Sequence, residues 1–267
     1  MPINKIKTVS IYSITHLLID AACIFVLYST VKFNNLESSI FAFIIIVLYN
    51  TIAFGVQAFI GNIFDRNKKP KICAIIGCLL TISAVLFWRN PIITSILAGF
   101  GNAAFHVGGG IICLKLGNKK ASIPGIYVAP GAMGLFMGAY IADKNLLPAY
   151  IWVILLSICT LFILINKPKI ETNQNIKNPI YNKLLLIINM LLFAIIIRSF
   201  IGLSITLDWK ANISLAFLLT LAVVFGKIAG GIISDKVGWI KTTVSALIIS
   251  SPLIAFGINN SILFITG

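Results

Sequence analysis

Between residues 61 and 71 the chain reads Gly61-Asn62-Ile63-Phe64-Asp65-Arg66-Asn67-Lys68-Lys69-Pro70-Lys71: one glycine, one acid and four cations, wedged between two long apolar runs. A second version begins 170 residues later: Gly231-Ile232-Ile233-Ser234-Asp235-Lys236-Val237-Gly238-Trp239-Ile240-Lys241. In both, the acid follows the glycine by four residues and a cation follows the acid. Two such loops at matching places predict a parallel internal repeat, each loop marking the same point in its own half.

The runs flanking these loops set the fold class. Of 267 residues, 59% are hydrophobic and only 10% charged, against about 25% charged in a soluble domain. Mean hydropathy is +1.02. Apolar runs of membrane-crossing length recur throughout, which predicts an all-α polytopic membrane protein. A membrane barrel would show short segments of alternating polarity instead. The expected spans are 8–31, 39–63, 72–88, 91–114, 123–142, 147–165, 184–207, 211–233 and 242–258, with a tenth beginning near Ser261.

The net charge of +14 does not point to nucleic acid, because the cations cluster in loops on alternate sides of the spans. With the N-terminus inside, fifteen of the 21 cations fall on the inner side, including Lys5, Lys7, Arg66, Lys120 and Lys236. The outer side holds only Lys32, Arg89, Lys144 and Lys210. This positive-inside pattern predicts a cytoplasmic N-terminus in the plasma or inner membrane. Trp88, Trp152 and Trp209 then fall near the outer interface and Trp239 near the inner one. The five cysteines lie within apolar runs, without the spacing of a zinc site or a disulfide framework.

The polar stretch 166–183 reads as a cytoplasmic linker between an N-terminal six-helix bundle (1–165) and a partial C-terminal bundle (184–267). A second half like the first would need six spans, whereas three and the start of a fourth are present. The expectation is an incomplete chain, with a genuinely shortened form as the alternative.

A few polar residues sit inside the spans. Asp20 is about a dozen residues into the first, where an isolated carboxylate would cost several kcal/mol. His16 lies one turn earlier on the same face. An acid and an imidazole stacked in a low-dielectric site are suited to taking and releasing a proton, or to fixing helix packing. His106 and Asn102 share a face of the fourth span. Arg198 lies deep in the seventh and should meet an acid, carbonyl dipoles or an anionic substrate. Asn50 and Gln57 could line the same cavity from the second span. Lys227 is near the inner end of the eighth and could snorkel to the interface. The glycines and Pro130 of the fifth span suit close packing and bending. There is no nucleophile triad, metal-ligand spacing, dinucleotide fingerprint or phosphate loop, so neither an enzyme nor a cofactor is expected.

The two loops match the Gly-x-x-x-Asp-Arg/Lys signature of the major facilitator superfamily, which the chain resembles. The resemblance implies a gating role for Gly61, Asp65 and Arg66 and for Gly231, Asp235 and Lys236. In each loop the glycine would permit close helix approach, and the acid could pair with a cation or the positive end of a neighbouring helix. Within the superfamily, His16-Leu17-Leu18-Ile19-Asp20 and Gly101-Asn102-Ala103-Ala104-Phe105-His106 resemble the first and fourth helices of fosmidomycin-resistance-type efflux members. After His106 this chain has Val107-Gly108-Gly109-Gly110, where those members carry proline and an acid. Ala129-Pro130-Gly131-Ala132-Met133-Gly134 looks like the fifth helix of the superfamily's antiporters.

The combined expectation is a monomeric secondary transporter. It would move a small solute by alternating access, in proton-coupled efflux. Asp20 and His16 would couple the proton, and Arg198, His106, Asn102, Asn50 and Gln57 would contact substrate. The alternative from another class is a membrane sensor or scaffold that moves nothing, or an inactive truncated transporter.

Overall fold

The computed structural model of the chain describes residues 3–67, 69–168, 190, 193 and 207–267. Among them the regular structure is helical: α1 (Ile3–Phe33), α2 (Ile40–Gly55), α3 (Gln57–Asn67), α4 (Pro70–Leu86), α5 (Pro91–Gly117), α6 (Ser122–Lys144), α7 (Ala149–Ile165), α8 (Ile213–Val237), α9 (Trp239–Gly257) and α10 (Ser261–Thr266). A short 3-10 turn, Asp208–Ala211, precedes α8. Six stretches are long and apolar enough to cross a membrane: Asn4–Phe33, Ile40–Phe64, Pro91–Gly117, Ser122–Lys144, Ile213–Val237 and Trp239–Gly257. The expected spans at 72–88 and 147–165 form α4 and α7, apolar helices of 17 residues each, at the short end for a spanning helix. Most of the linker expected at 166–183 and of the span at 184–207 lies outside the described residues.

Local chemistry explains where helices begin and end. The Ser39 side chain accepts from the Phe41 amide at the start of α2. Asn90 accepts from Ile93, with Pro91 next in the chain, at the start of α5. These caps satisfy amides left over by the first turn, and proline is tolerated where no amide is needed. Asn118 and Asn145 end α5 and α6 in the left-handed conformation, which asparagine adopts more readily than most residues. The span expected at 39–63 is divided at Val56 into α2 and α3, and the helical bonding continues across it through Val56 N–H to Ile52 O and Ile60 N–H to Val56 O.

The chain forms two compact units, Met1–Ile170 with Leu219–Ile248, and Glu171–Leu218 with Ile249–Gly267. In the larger unit α1 and α5 are central. Helix α1 packs against α4, α5, α6 and α7, and α5 also takes α2, α3, α4 and α6. The core runs through Tyr12, Ile19, Val26, Phe105, Ile112, Trp152 and Leu156. Large apolar side chains remain outside it, among them Phe43, Phe54, Phe59 and Leu161. Such a surface fits lipid as its solvent and would not fit water.

Two seams depend on glycine. Along α6, Gly134 and Gly138 face the backbone carbonyls of Leu17 and Ala21 on α1. Between α4 and α5, a Cβ on Gly77 would lie 2.7 Å from Phe105 Cα, and one on Gly108 would lie 2.6 Å from Pro70 O. Backbones that close leave no room for a side chain, the small-residue packing common between membrane helices.

Trp152 faces the protein interior. Its side chain is buried against Phe25, with ring centroids 5.3 Å apart, because α7 turns that face towards α1. In the smaller unit, Trp209 donates its indole N–H to Ile258 O at 3.3 Å and stacks edge-on against Phe264.

Candidate functional site

The site is built on α1, α5 and α6. His16 and Asp20 lie one helical turn apart on α1, and both are buried. Their Nε2 and Oδ2 atoms are 3.2 Å apart. From α5, Asn102 donates its amide to Asp20 Oδ1 at 2.8 Å. His106, one turn further on, places Nε2 3.1 Å from the same oxygen. One carboxylate therefore meets three polar side chains from two helices. Their spacing follows from the helix repeat, because residues four apart share a face.

Helix α6 closes the third side. His16 Nδ1 lies 2.9 Å from the Tyr127 carbonyl oxygen. A carbonyl can only accept, so Nδ1 carries a proton. The imidazole's remaining nitrogen then points at Asp20. Gly131, one turn after Tyr127, lies directly over the pair: a Cβ there would sit 2.5 Å from Asp20 Oδ2 and 2.7 Å from His16 Nε2. The two histidine rings meet edge-on at 4.3 Å, and the Tyr127 ring lies 4.8 Å from His16. Asp20 is nearly sealed, whereas the His106 side chain keeps 22% of its surface exposed. Among the side chains of the cluster, His106 is therefore the most exposed.

This arrangement can hold a positive charge. An unpaired carboxylate in an apolar interior would be costly. Here an amide N–H and two imidazoles surround it, and a proton or cation shared among them would balance its charge. The sequence marks Asp20 with His16, and His106 with Asn102, as separate pairs. They form one cluster.

Asn50 and Gln57 do not join that cluster. Asn50 is exposed and donates to Ile46 O at 2.8 Å, and Gln57 donates to Ala53 O at 2.7 Å, each within its own helical stretch. Arg198 lies outside the described residues. The sequence does not mark Tyr127 or Gly131 as site residues. Tyr127 contributes through a main-chain oxygen, which no side-chain pattern reveals, and Gly131 through the absence of a side chain.

The second charged loop forms a separate contact within the larger unit. Asp235, at the end of α8, accepts from the Ala121 amide at 2.6 Å and from the Ser122 amide at 3.2 Å. These amides open α6, where the helix dipole favours an anion. Gly231, one turn earlier, allows the approach: a Cβ there would lie 2.8 Å from Ala121 O. Lys236 follows on the exposed side.

In the first loop, Gly61 has no such need, since a Cβ there would find its nearest neighbour, Val107 Cγ1, at 4.0 Å. The side chains of Asp65 and Arg66 lie outside the described residues. Lys71, the last cation of that loop, donates to Leu164 O at 2.7 Å and Asn166 O at 2.8 Å. It caps the C-terminal end of α7, where carbonyls favour a cation. Compared with protein-family models, with curated proteins and with solved structures, the chain matches none.

Proposed function

We propose that this chain is a secondary active transporter of the major facilitator type, moving a small solute across the cytoplasmic membrane by alternating access. The Asp20 centre binds the coupling cation, expected to be a proton. The observation that carries the reading is the buried carboxylate shared by His16, His106 and Asn102 on apolar helices of membrane-crossing length. A polar pair serving only helix packing needs one partner. Three partners, two of them imidazoles and one reachable from outside, suit a group that changes its occupant.

Asp235 supports the same reading. Its two hydrogen bonds to the start of α6 make a contact that is strong when seated and exposed enough to release. Such contacts suit the cytoplasmic gate of a rocking bundle. The glycine- and proline-rich α6 lies between this latch and the Asp20 centre, and its likeness to antiporter helices favours efflux.

Energised vesicles test the proposal with a panel of candidate solutes. Solute flux should respond to an imposed pH gradient and should lose that response in Asp20→Asn. If no solute's flux responds, and Asp20→Asn leaves the cellular phenotype intact, the chain is a sensor or scaffold and the transport reading fails.

A further inference from the structure

The hydrogen-bond pattern at the Asp20 centre implies more than a place for a proton. His16 Nδ1 must be protonated to reach the Tyr127 carbonyl at 2.9 Å. In the neutral ring Nε2 then carries only a lone pair, and it faces Asp20 Oδ2 at 3.2 Å. Two acceptors aimed at each other repel unless something positive lies between them. His106 adds a second imidazole nitrogen 3.1 Å from Asp20 Oδ1.

We propose that His16, Asp20 and His106 form a binding site for a divalent transition-metal cation of the zinc class. The proposal deepens the transporter reading and rests on it only in treating the cation as cargo; the donor set stands on its own geometry. The candidate donor atoms of the three residues all lie within 4.8 Å of one another. A tetrahedral ion with bonds of about 2.0–2.1 Å separates its donors by roughly 3.3–3.4 Å. The two histidine–carboxylate separations, 3.2 Å to Oδ2 and 3.1 Å to Oδ1, are close to that edge, one at each carboxylate oxygen. The set spans up to 4.8 Å, so an ion would draw its widest pair of donors together by roughly 1.4 Å. Two imidazoles and one carboxylate suit zinc or cobalt, whereas calcium and magnesium take oxygen donors.

The surroundings match what such a site requires. Metal-bound histidine characteristically donates its other ring N–H to a carbonyl or carboxylate, which orients the ring. His16 does so through Tyr127. Asn102 holds Oδ1, the carboxylate oxygen that His106 also approaches. Gly131 leaves the space that a side chain would fill. The partly exposed His106 supplies an entry path, and the fourth coordination position would open on that side. Two ligands come from α1 and the third from α5, 86 residues further on, so no compact sequence motif announces the set.

The test uses the full chain, purified in detergent, stripped with a chelator and titrated with Co²⁺. The expected result is one Co²⁺ per chain, with the visible bands of a four-coordinate nitrogen and oxygen site, displaced by Zn²⁺. His16→Gln, His106→Gln and Asp20→Asn should each weaken binding by about 100-fold or more. Asn102→Ala should weaken it by about 10- to 100-fold, as losing an orienting partner does. His106 is the most exposed of the three, so His106→Gln is the variant least exposed to misfolding.

Absence of stoichiometric Co²⁺ binding overturns the proposal. So does binding that survives the His16→Gln/His106→Gln pair, or a near-ultraviolet thiolate band, which would assign the ion to a cysteine. Visible bands without gradient-driven flux would keep the site and remove the transporter. Flux without bands would keep the transporter and remove the metal.

Discussion

Gly131→Ala separates the chemistry of the centre from the packing of the bundle. The new methyl carbon would lie 2.5 Å from Asp20 Oδ2, 2.7 Å from His16 Nε2 and 3.1 Å from His16 Cδ2. Ordinary contacts are about 3.5 Å or longer, so both polar atoms must retreat by roughly 0.8–1 Å. Neither is free to do so. His16 is held to Tyr127 O at 2.9 Å and Asp20 to Asn102 at 2.8 Å. Retreat stretches one of those bonds, and overpacking of this kind costs about 1–3 kcal/mol. At tenfold per 1.4 kcal/mol, cation affinity should fall by roughly 5- to 150-fold. Gly134→Ala, one turn on, meets the Leu17 backbone carbonyl instead. That oxygen cannot swing aside, so the loss should appear as instability. Co²⁺ titration reads the first effect. A thiol-reactive fluorophore reads the second during heating, because all five cysteines are buried in the folded chain. If Gly131→Ala binds cation as the parent does, or if both substitutions behave alike in both assays, the assignment of Gly131 to the centre is wrong.

Asp235→Ala should raise hydrogen exchange at the Ala121 and Ser122 amides by about 2- to 5-fold, the equivalent of the 0.3–1 kcal/mol of an anion at a helix start; unchanged exchange would mean that the latch does not form. Lys71→Met should free the carbonyls of Leu164 and Asn166 and lower stability by about 1 kcal/mol, read as earlier thermal unfolding; a parental unfolding curve would contradict the cap. Trp152→Phe removes a buried indole N–H that has no partner among the described residues. The relief offsets the lost ring area, so stability should change by less than about 1 kcal/mol. A drop beyond about 3 kcal/mol would show that packing on Phe25 dominates.

The membrane class and most helix positions were legible because they depend on runs of composition and on short-range signals. Asn90 before Pro91, and Asn118 closing α5, are local chemistry. The pairing of His16 with Asp20 was legible for the same reason, since four residues along a helix is a fixed step. What joined them to Asn102 and His106 was not. That contact depends on how far α1 and α5 are rotated about their own axes, which apolar residues on every face leave undetermined. The same ambiguity hid which way Trp152 faces: its side chain packs inward on Phe25. Asn50 and Gln57 show the converse. Polar residues in an apolar run suggest a shared cavity, but each can satisfy itself on its own helical stretch. Of the two charged loops, the second shows its contact among the described residues, because Asp235 and Gly231 meet the start of α6 together.

Alternating access requires the Asp20 centre to face each side of the membrane in turn, and Gly110→Cys tests this without knowledge of the solute. Gly110 lies one turn beyond His106 on α5, and a Cβ there meets nothing within 4 Å, while the native cysteines are buried. A membrane-impermeant thiol reagent would be applied separately to each face of vesicles holding this variant, with and without a pH gradient. The expected result is labelling from both faces, in proportions that shift with the gradient and stop shifting when Asp20→Asn is added. Labelling from one face only, unchanged by the gradient, would contradict alternating access at this centre.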